Sequence, residues 1–360
     1  MALEIPMSVT ETNFLGVQPV EKRHRFDEAA LERWMQVNVD GFDGPLTVLQ
    51  FRGGQSNPTY RLETPGRKYV LRRKPFGVLL PTAHAVDREY RLITALETVR
   101  FPVPHAYAIC MDPAVIGAMF YLMEAVEGTI HWDAALPDLA PDTRRKVYEA
   151  MISALANLHL IDYAAIGLGD YGRPGNYFTR QIERWTKQYR ASETRRIDEA
   201  ERLMEWLPKT IPEQTRTSIV HGDYRIDNLV VAGRGDRIAA VLDWELSTLG
   251  DPLADLSYML MHWELPASER GALGGLDLQA LGIPTRHEAL LLYCGCTGRS
   301  GIPNLDWYFA YNVFRLACIF QGIAGRVRDG TAANANAADA ESRTPRLAKI
   351  AWDFALCAGA

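Results

Sequence analysis

The chain has 360 residues, 48% hydrophobic and 23% charged, which is globular composition and enough length for one large domain or two lobes with a core. Its formal net charge of −5 excludes the overall basic surface of a nucleic-acid-binding protein, and no run is long and apolar enough to span a membrane. The start of the sequence lacks the basic region and apolar core of a signal peptide, so we expect a soluble cytoplasmic protein without nucleic-acid or membrane partners. The five cysteines lack the spacing of a zinc or redox site, which predicts reduced, buried thiols.

The first third of the chain is rich in predicted strands. Residues 26–39 have the apolar spacing of a helix, and residues 46–75 then alternate as three strands around breaks at 52–57 and 64–67. A second helix is predicted over residues 83–99, followed by two more strands in 106–112 and 118–128.

Helices dominate from about Thr143, and a single hairpin, residues 228–244, interrupts them. Small and polar residues without a hydrophobic period fill 328–345, which predicts a mobile loop before a last helix. The pattern indicates an α+β protein with a small antiparallel-sheet N-terminal lobe, residues 1–124, and a larger helical C-terminal lobe, residues 125–360.

One polar run, SIVHGDYRIDNLVVAG at residues 218–233, contains more charged and hydrogen-bonding side chains than a turn requires. Asp223 and Asn228 stand five residues apart, and Asp243 follows at the end of the hairpin's second strand. Three oxygen-donor side chains on two adjacent loops can serve a nucleotide-dependent enzyme, in which one orients an acceptor hydroxyl and two hold divalent ions on phosphates. The competing interpretation is that these residues only cap turns, and the whole pattern favours chemistry.

Phosphoryl transfer also needs a loop that covers the phosphates and a cation, and both have candidates upstream. Gly53 and Gly54, between two predicted strands, can bring backbone N–H groups close to phosphates. Arg72 lies on the next strand, and Glu89 lies on the apolar stripe of the helix that follows. Burying an unpaired carboxylate is very costly, so we expect Arg72 to pair with Glu89, either as part of a nucleotide site or as a structural ion pair.

These motifs resemble those of the aminoglycoside-phosphotransferase (choline-kinase-like) branch of the protein-kinase-like fold, from about Leu46 to Tyr258. HGDYRIDN resembles the catalytic loop of that family, and VLDWELSTLGDPLADL resembles its metal-binding segment with the acidic run after it. YVLR with Glu89 is similar to the nucleotide-clamping pair, and YLMEAVEG is similar to the hinge between the lobes. Within the family, the chain is most similar to the kinase-like domain fused to some acyl-CoA dehydrogenases. The resemblance implies a bilobal protein-kinase-like fold.

The resemblance also implies a phosphotransferase that moves the γ-phosphoryl of ATP, or of GTP, to a hydroxyl of a small molecule. Asp223 would receive or orient the acceptor hydroxyl, and Arg225 would stabilise transition-state charge. Asn228 and Asp243 would bind Mg²⁺. The nucleotide would meet a third group of residues, which comprises Gly53, Gly54, Gln55, Ser56, Asn57, Arg72, Glu89, Glu124 and Val126.

Four other polar residues near these motifs are interpreted as supports. By the same resemblance, Asp255 and Asp251 would brace the catalytic loop by accepting its backbone N–H groups. We interpret His221 as a loop-bracing residue rather than a general base, and His159, on an apolar helix, as a hydrogen-bonded core histidine. Glu245 could add a metal contact, and we leave it outside the predicted site.

Two further functions remain open. A nucleotide-binding regulatory module without transfer activity is disfavoured because Asp223, Asn228 and Asp243 are all retained. A metal-dependent hydrolase with His221, Asp223 and Asp243 as ligands would leave the upstream loop, Arg72 and Glu89 without a role.

The charge of the acceptor is indicated by residues 171–196, which carry seven basic and two acidic side chains. If this segment is helical, Arg180, Arg184 and Lys187 share one face. The strip is either a solvated helix face or a contact for an anionic acceptor, such as a hydroxyacyl-CoA. An aminoglycoside-type antibiotic kinase would need carboxylates there instead, since its substrates are polycations.

Overall fold

The structure is a computed structural model that describes residues 16–52, 58–74, 86–330 and 339–360. The chain forms two units. The sheet unit runs to Trp132 and includes Ile166–Leu168 and Asp227–Leu246, and the helical unit consists of Asp133–Ala165, Gly169–Ile226 and Ser247–Ala360. The expected division between residues 124 and 125 stays a prediction. Across the described ranges, no helix has both the length and the apolar character needed to cross a bilayer.

A six-stranded antiparallel sheet, in the order β1-β2-β3-β4-β6-β5, is the centre of the sheet unit. Its strands are β1 (Val17–Pro19), β2 (Thr47–Phe51), β3 (Thr59–Glu63), β4 (Lys68–Arg73), β5 (Ala106–Cys110) and β6 (Phe120–Glu124). The predicted meander and the two later strands are confirmed. The sequence analysis did not predict β1, whose three residues are too few for a periodic signal.

Among its described residues, the sheet unit has two α-helices, α1 (Glu28–Asn38) and α2 (Val86–Thr98). Asp27 caps α1 by accepting the N–H of Ala30, and Leu31 and Met35 bury one face of the helix in the core formed with the sheet. In α2, Glu89 is buried on one face together with Leu92, Ile93 and Leu96, at spacing 0, 3, 4 and 7, as the pattern predicts. The predicted hairpin is also present, as β8 (Leu229–Ala232) paired with β9 (Arg237–Val241).

The helical unit is built around long helices. Its helices are α3 (Pro141–Leu160), α4 (Tyr177–Ser192), α5 (Asp198–Trp206), α6 (Leu253–Leu260), α7 (Leu278–Leu281), α8 (Arg286–Thr297), α9 (Leu305–Arg328) and α10 (Ala340–Cys357). We did not expect the short antiparallel pair of β7 (Ser218–Val220) with β10 (Thr248–Gly250). The strand β7 leads into the catalytic-loop motif, and β10 lies inside the second motif, five residues after Asp243.

Two expectations for the C-terminal part were wrong. The predicted loop over 328–345 extends too far, because α10 begins at Ala340; residues 331–338 lie outside the described part. Two cysteines predicted to be buried, Cys296 and Cys357, are exposed. Cys294 and Cys296 are two residues apart on α8, so they face different sides of the helix and only Cys294 is buried.

Candidate active site

The catalytic-loop motif follows β7 in the helical unit, and hydrogen bonds to its backbone N–H groups hold it in place. Asp255, in the first turn of α6, accepts the N–H of His221 at 2.6 Å and the N–H of Gly222 at 2.8 Å. Gly222 has φ of +88°, a conformation that favours glycine. The predicted bracing by Asp255 is therefore confirmed, whereas Asp251 accepts the N–H of Leu253 within its own segment.

Two histidines stabilise the same loop. Nδ1 of His221, which is fully buried, accepts the backbone N–H of Asp223 at 3.1 Å, and this confirms a bracing contact. His159 on α3 lies between the Tyr293 hydroxyl at 2.7 Å and Asp255 Oδ2 at 3.5 Å. Burial lowers the pKa of His159, so a neutral ring that accepts from Tyr293 and donates to Asp255 fits both partners. His159 is a hydrogen-bonded core histidine, as predicted.

The carboxylate of Asp223 is held by two side chains. Tyr258 on α6 donates its hydroxyl to Oδ1 at 2.6 Å. Arg225 places Nε 3.1 Å from Oδ1 and Nη2 3.3 Å from Oδ2. Burial alone would raise the pKa of Asp223, but Arg225 and the Tyr258 hydroxyl outweigh it and lower the pKa to about 2. Asp223 is therefore ionised at neutral pH, and its two contacts restrict the orientation of its carboxylate.

Arg315, which the sequence analysis did not single out, also reaches this loop. It lies on α9, is buried, and donates Nη2 to the carbonyl of Gly222 at 2.5 Å. Its guanidinium lies 5.0 Å from the ring centroid of Tyr258 and 5.6 Å from that of Trp185. A buried cation with a backbone acceptor and two aromatic faces is well compensated. Arg315 thus connects α9 to the loop that carries Asp223.

In the sheet unit, the predicted pair of Arg72 and Glu89 is present. Arg72 Nη1 lies 3.1 Å from Glu89 Oε1 and both side chains are buried. The same guanidinium places Nη2 3.0 Å from Asp243 Oδ1 and 3.7 Å from Glu245 Oε2. Arg72 therefore faces three carboxylates, two of which belong to the segment after β9.

Burial and charge oppose each other in this cluster. Burial would lower the pKa of Arg72, but the Glu89 and Asp243 carboxylates outweigh it and raise the pKa. Burial also raises the pKa of Glu89, and Arg72 opposes that change. The backbone N–H of Trp244 donates to Glu89 at 3.3 Å, so α2 is joined to the segment after β9 as well as to β4.

The backbones of the two predicted magnesium ligands, Asn228 and Asp243, lie close together at the base of the β8–β9 hairpin. Asn228 accepts the N–H of Leu242 through its carbonyl at 2.9 Å, which places it beside Asp243. Asp243 has φ of +64° and a side chain that is 38% exposed. Among the described residues no group of three or more His, Cys, Asp or Glu is placed to hold a metal. A carboxylate residue and an amide residue at neighbouring backbone positions are a donor pair that still fits Mg²⁺, which binds through one or two carboxylates together with substrate phosphates.

The remaining predicted nucleotide contacts lie at the end of β6 and in the upstream loop. The N–H of Glu124 donates to the carbonyl of His105 at 2.8 Å, so this group is used within the sheet unit. A contact between Glu124 and adenine would therefore involve its carbonyl, with the N–H of Val126 as the second group. Gly53, Gly54, Gln55, Ser56 and Asn57 lie outside the described residues.

The predicted basic strip lies on α4, and its members differ. Arg180 donates to the backbone carbonyls of Arg173 and Gly175 and so closes the turn before its own helix. Arg184 and Lys187 are exposed. The part of the strip that faces solvent therefore consists of Arg184 and Lys187.

Comparison with known proteins agrees with this geometry. The profile of the phosphotransferase enzyme family matches residues 47–292. The chain is 44% identical over 347 residues to acyl-CoA dehydrogenase family member 10 of Mus musculus, covering 95% of this chain and 32% of that protein. A crystal structure from Ralstonia eutropha JMP134, assigned to the aminoglycoside phosphotransferases, is 50% identical with a TM-score of 0.84, covering 92% of this chain and 98% of that one. The aminoglycoside phosphotransferase APH(4)-Ia, in a ternary complex with AMP-PNP and hygromycin B, is 14% identical with a TM-score of 0.58, covering 91% and 99%.

The chain belongs to the phosphotransferase enzyme family, and its α+β fold is the protein-kinase-like fold of the aminoglycoside phosphotransferases. Membership of this family supports a kinase-type enzyme. The chain spans about a third of the mouse relative, 32% of its length.

Proposed function

We propose that this protein transfers the γ-phosphoryl group of ATP, with GTP as the other candidate donor, to a hydroxyl of an anionic small molecule of the hydroxyacyl type. The observation that carries the proposal is the state of Asp223, an ionised carboxylate on a loop fixed by Asp255 and His221 in a chain of the phosphotransferase family.

The role of Asp223 follows from its weak basicity. With a pKa of about 2, it does not remove the proton of an alcohol before phosphoryl transfer begins. In a loose transition state the acceptor oxygen becomes acidic only late, so the main tasks of Asp223 are to orient the hydroxyl and receive its proton as the bond forms. Arg225, 3.1 Å from this carboxylate, adds positive charge on the acceptor side.

The donor side is assigned to the sheet unit. Asn228 and Asp243 would hold Mg²⁺, which, when bound, neutralises charge on the nucleotide phosphates. Arg72 is held in place by Glu89 and can bind a phosphate through a guanidinium that Asp243 and Glu245 already surround. The carbonyl of Glu124 and the N–H of Val126 would bind the base, and residues Gly53–Asn57 would cover the phosphates.

Two observations support an anionic acceptor. Arg184 and Lys187 present an exposed positive pair on α4. The mouse relative, of which this chain matches 32%, is named an acyl-CoA dehydrogenase, so a substrate related to acyl-CoA suits both proteins. A hydroxyacyl-CoA carries phosphates, which a pair of basic side chains attracts. The rate at which it associates with the protein should therefore depend on ionic strength.

A second candidate is an aminoglycoside-type antibiotic kinase. It is favoured by the assignment of the 50% identical Ralstonia protein and by the hygromycin B bound to APH(4)-Ia. The third candidate is a nucleotide-binding regulatory module without transfer activity.

One assay separates the three candidates. The purified chain is incubated with Mg²⁺ and ATP or GTP, and with hydroxy acids, hydroxyacyl-CoA thioesters or kanamycin, and phosphate esters are detected by mass spectrometry. We expect esters of the anionic alcohols, formed at least about 10²-fold more slowly by Asp223→Asn. Product from kanamycin alone would establish the antibiotic kinase. Nucleotide binding without consumption by any acceptor or water would establish the regulatory module.

A further inference from the structure

Tyr258 has no role in the chemistry assigned above, yet its hydroxyl donates a 2.6 Å hydrogen bond to Oδ1 of Asp223. We propose that Tyr258, fixed in turn by Arg315, is a positioning residue that sets the orientation of the Asp223 carboxylate toward the acceptor. This inference rests on the proposed role of Asp223 as the group that receives the acceptor hydroxyl.

The position of Tyr258 on its helix gives α6 two contacts with the loop. Asp255 and Tyr258 are three residues apart and therefore share one face of α6. Asp255 binds the backbone N–H groups of His221 and Gly222, and Tyr258 binds the side chain of Asp223. One turn of α6 thus fixes both the backbone of the loop and the reacting carboxylate.

The ring of Tyr258 is itself held in place. It is only 5% exposed, and the guanidinium of Arg315 lies 5.0 Å from its centroid. Arg315 is restrained by its bond to the carbonyl of Gly222 and by the ring of Trp185 on α4. A buried ring between a helix backbone and a restrained cation has few rotamers, so its hydroxyl meets Oδ1 from a constant direction.

The fixed contact has a chemical consequence. Oδ1 accepts from Tyr258 at 2.6 Å and lies 3.1 Å from Arg225 Nε, while Oδ2 accepts from Arg225 Nη2 at 3.3 Å, and these contacts together define the plane of the carboxylate. We assign Oδ2, which has the longer of these contacts, as the oxygen that meets the acceptor hydroxyl. Tyr258 also lowers the pKa of Asp223, together with the other charged or titratable groups that face it, Arg225, Arg315 and His221.

The test compares Tyr258→Phe with Tyr148→Phe. Tyr148 is a matched control, because it is also buried in the helical unit and also donates a 2.6 Å bond, but to the carbonyl of Ala134. Both variants lose one hydroxyl and one hydrogen bond, so both should lose thermal stability to a similar extent. With the best acceptor from the panel, Tyr258→Phe should lower kcat roughly tenfold and leave the KM for the nucleotide unchanged, since a bond to a charged group is lost. Tyr148→Phe should change neither.

The pH dependence adds a readout that a structural role would not move. Asp223 acts in its ionised form, and loss of the Tyr258 bond raises its pKa, so the acid limb of the kcat profile should move up by about one pH unit. The same shift in the pKa of Asp223 should be visible without any acceptor, by titrating its ¹³C carboxyl resonance. That resonance is assigned as the one that is missing from the spectrum of Asp223→Asn.

The outcomes separate this inference from the proposed function. A wild-type enzyme that transfers phosphate through Asp223, with Tyr258→Phe equal to Tyr148→Phe in kcat and in the carboxyl titration, would overturn the positioning role alone. If no acceptor is phosphorylated, the proposed function fails, and an unchanged carboxyl titration in Tyr258→Phe would then reject the contact as well.

Discussion

Arg72 and Glu89 allow a quantitative test, because their removal should have unequal costs. Without Arg72, the buried Glu89 keeps the N–H of Trp244 at 3.3 Å and loses its ion pair. Breaking a buried pair from one side costs about 3–5 kcal/mol. Without Glu89, Arg72 still has Asp243 at 3.0 Å and Glu245 at 3.7 Å. The cost of Glu89→Leu should therefore be lower, about 1–3 kcal/mol.

The double change Arg72→Met with Glu89→Leu removes both charges, so it should cost clearly less than the sum of the single changes. We expect a coupling free energy of about 2 kcal/mol or more from urea unfolding, and the same sign of coupling in the affinity for MgATP. The two single variants and the double variant complete the cycle. Additivity within about 0.5 kcal/mol would mean that the side chains do not interact in solution.

The pH dependence of the stability of Arg72→Met gives an independent test of the pair. Burial raises the pKa of Glu89, and removal of Arg72 takes away the group that lowers it. The folded variant then retains a proton at pH values where the unfolded chain has lost it, so its stability falls as pH rises above the ordinary glutamate pKa. The destabilisation of Arg72→Met relative to wild type should be smaller at pH 5 than at pH 8. The reverse order would show that Glu89 stays ionised without Arg72.

Three further predictions concern the site. Asp223→Asn should keep nucleotide affinity within a few-fold and reduce transfer by about 10² to 10⁴, measured by steady-state kinetics; unchanged turnover would remove Asp223 from catalysis. Asp243→Asn should abolish Mg²⁺-dependent nucleotide binding in calorimetry, and asparagine is preferred to alanine because it tolerates φ of +64°; tight MgATP binding would refute the metal role. Charge reversal of Arg184 and Lys187 should raise the KM of an anionic acceptor, most at low salt, while the KM for ATP is unchanged; equal KM values would leave the pair a solvated surface. Arg180 is not a suitable target, because it holds the turn before α4.

The sequence predicted those contacts that leave a local pattern. Glu89 was identified because a carboxylate at a core position of an amphipathic helix requires a partner, and Arg72 was the available cation. Asp255 was identified through the acidic run that resembles a known motif. The meander, α2 and the β8–β9 hairpin follow from apolar periodicity.

The missed contacts depend on long-range packing. Tyr258 meets Asp223 across 35 residues, and Arg315 meets Gly222 across 93. A signal for Arg315 was present, since it is the one charged residue within the apolar stretch 307–320, the same logic that identified Glu89. The three-residue strands β7 and β10 have no periodicity of their own and form because distant segments pair.

The contacts of Asp255 also bear on the timescale on which the catalytic loop can move. The amides of His221 and Gly222 and the ring of His159 all end on one buried carboxylate in α6. Release of any one of these groups would take a hydrogen bond from a carboxylate that water does not reach, so their movements are coupled through Asp255. Although its sequence is that of a polar loop, the segment around His221 and Gly222 therefore belongs to the same cooperative unit as α3, α6 and α8. Large movements of its backbone require the core formed by these helices to open.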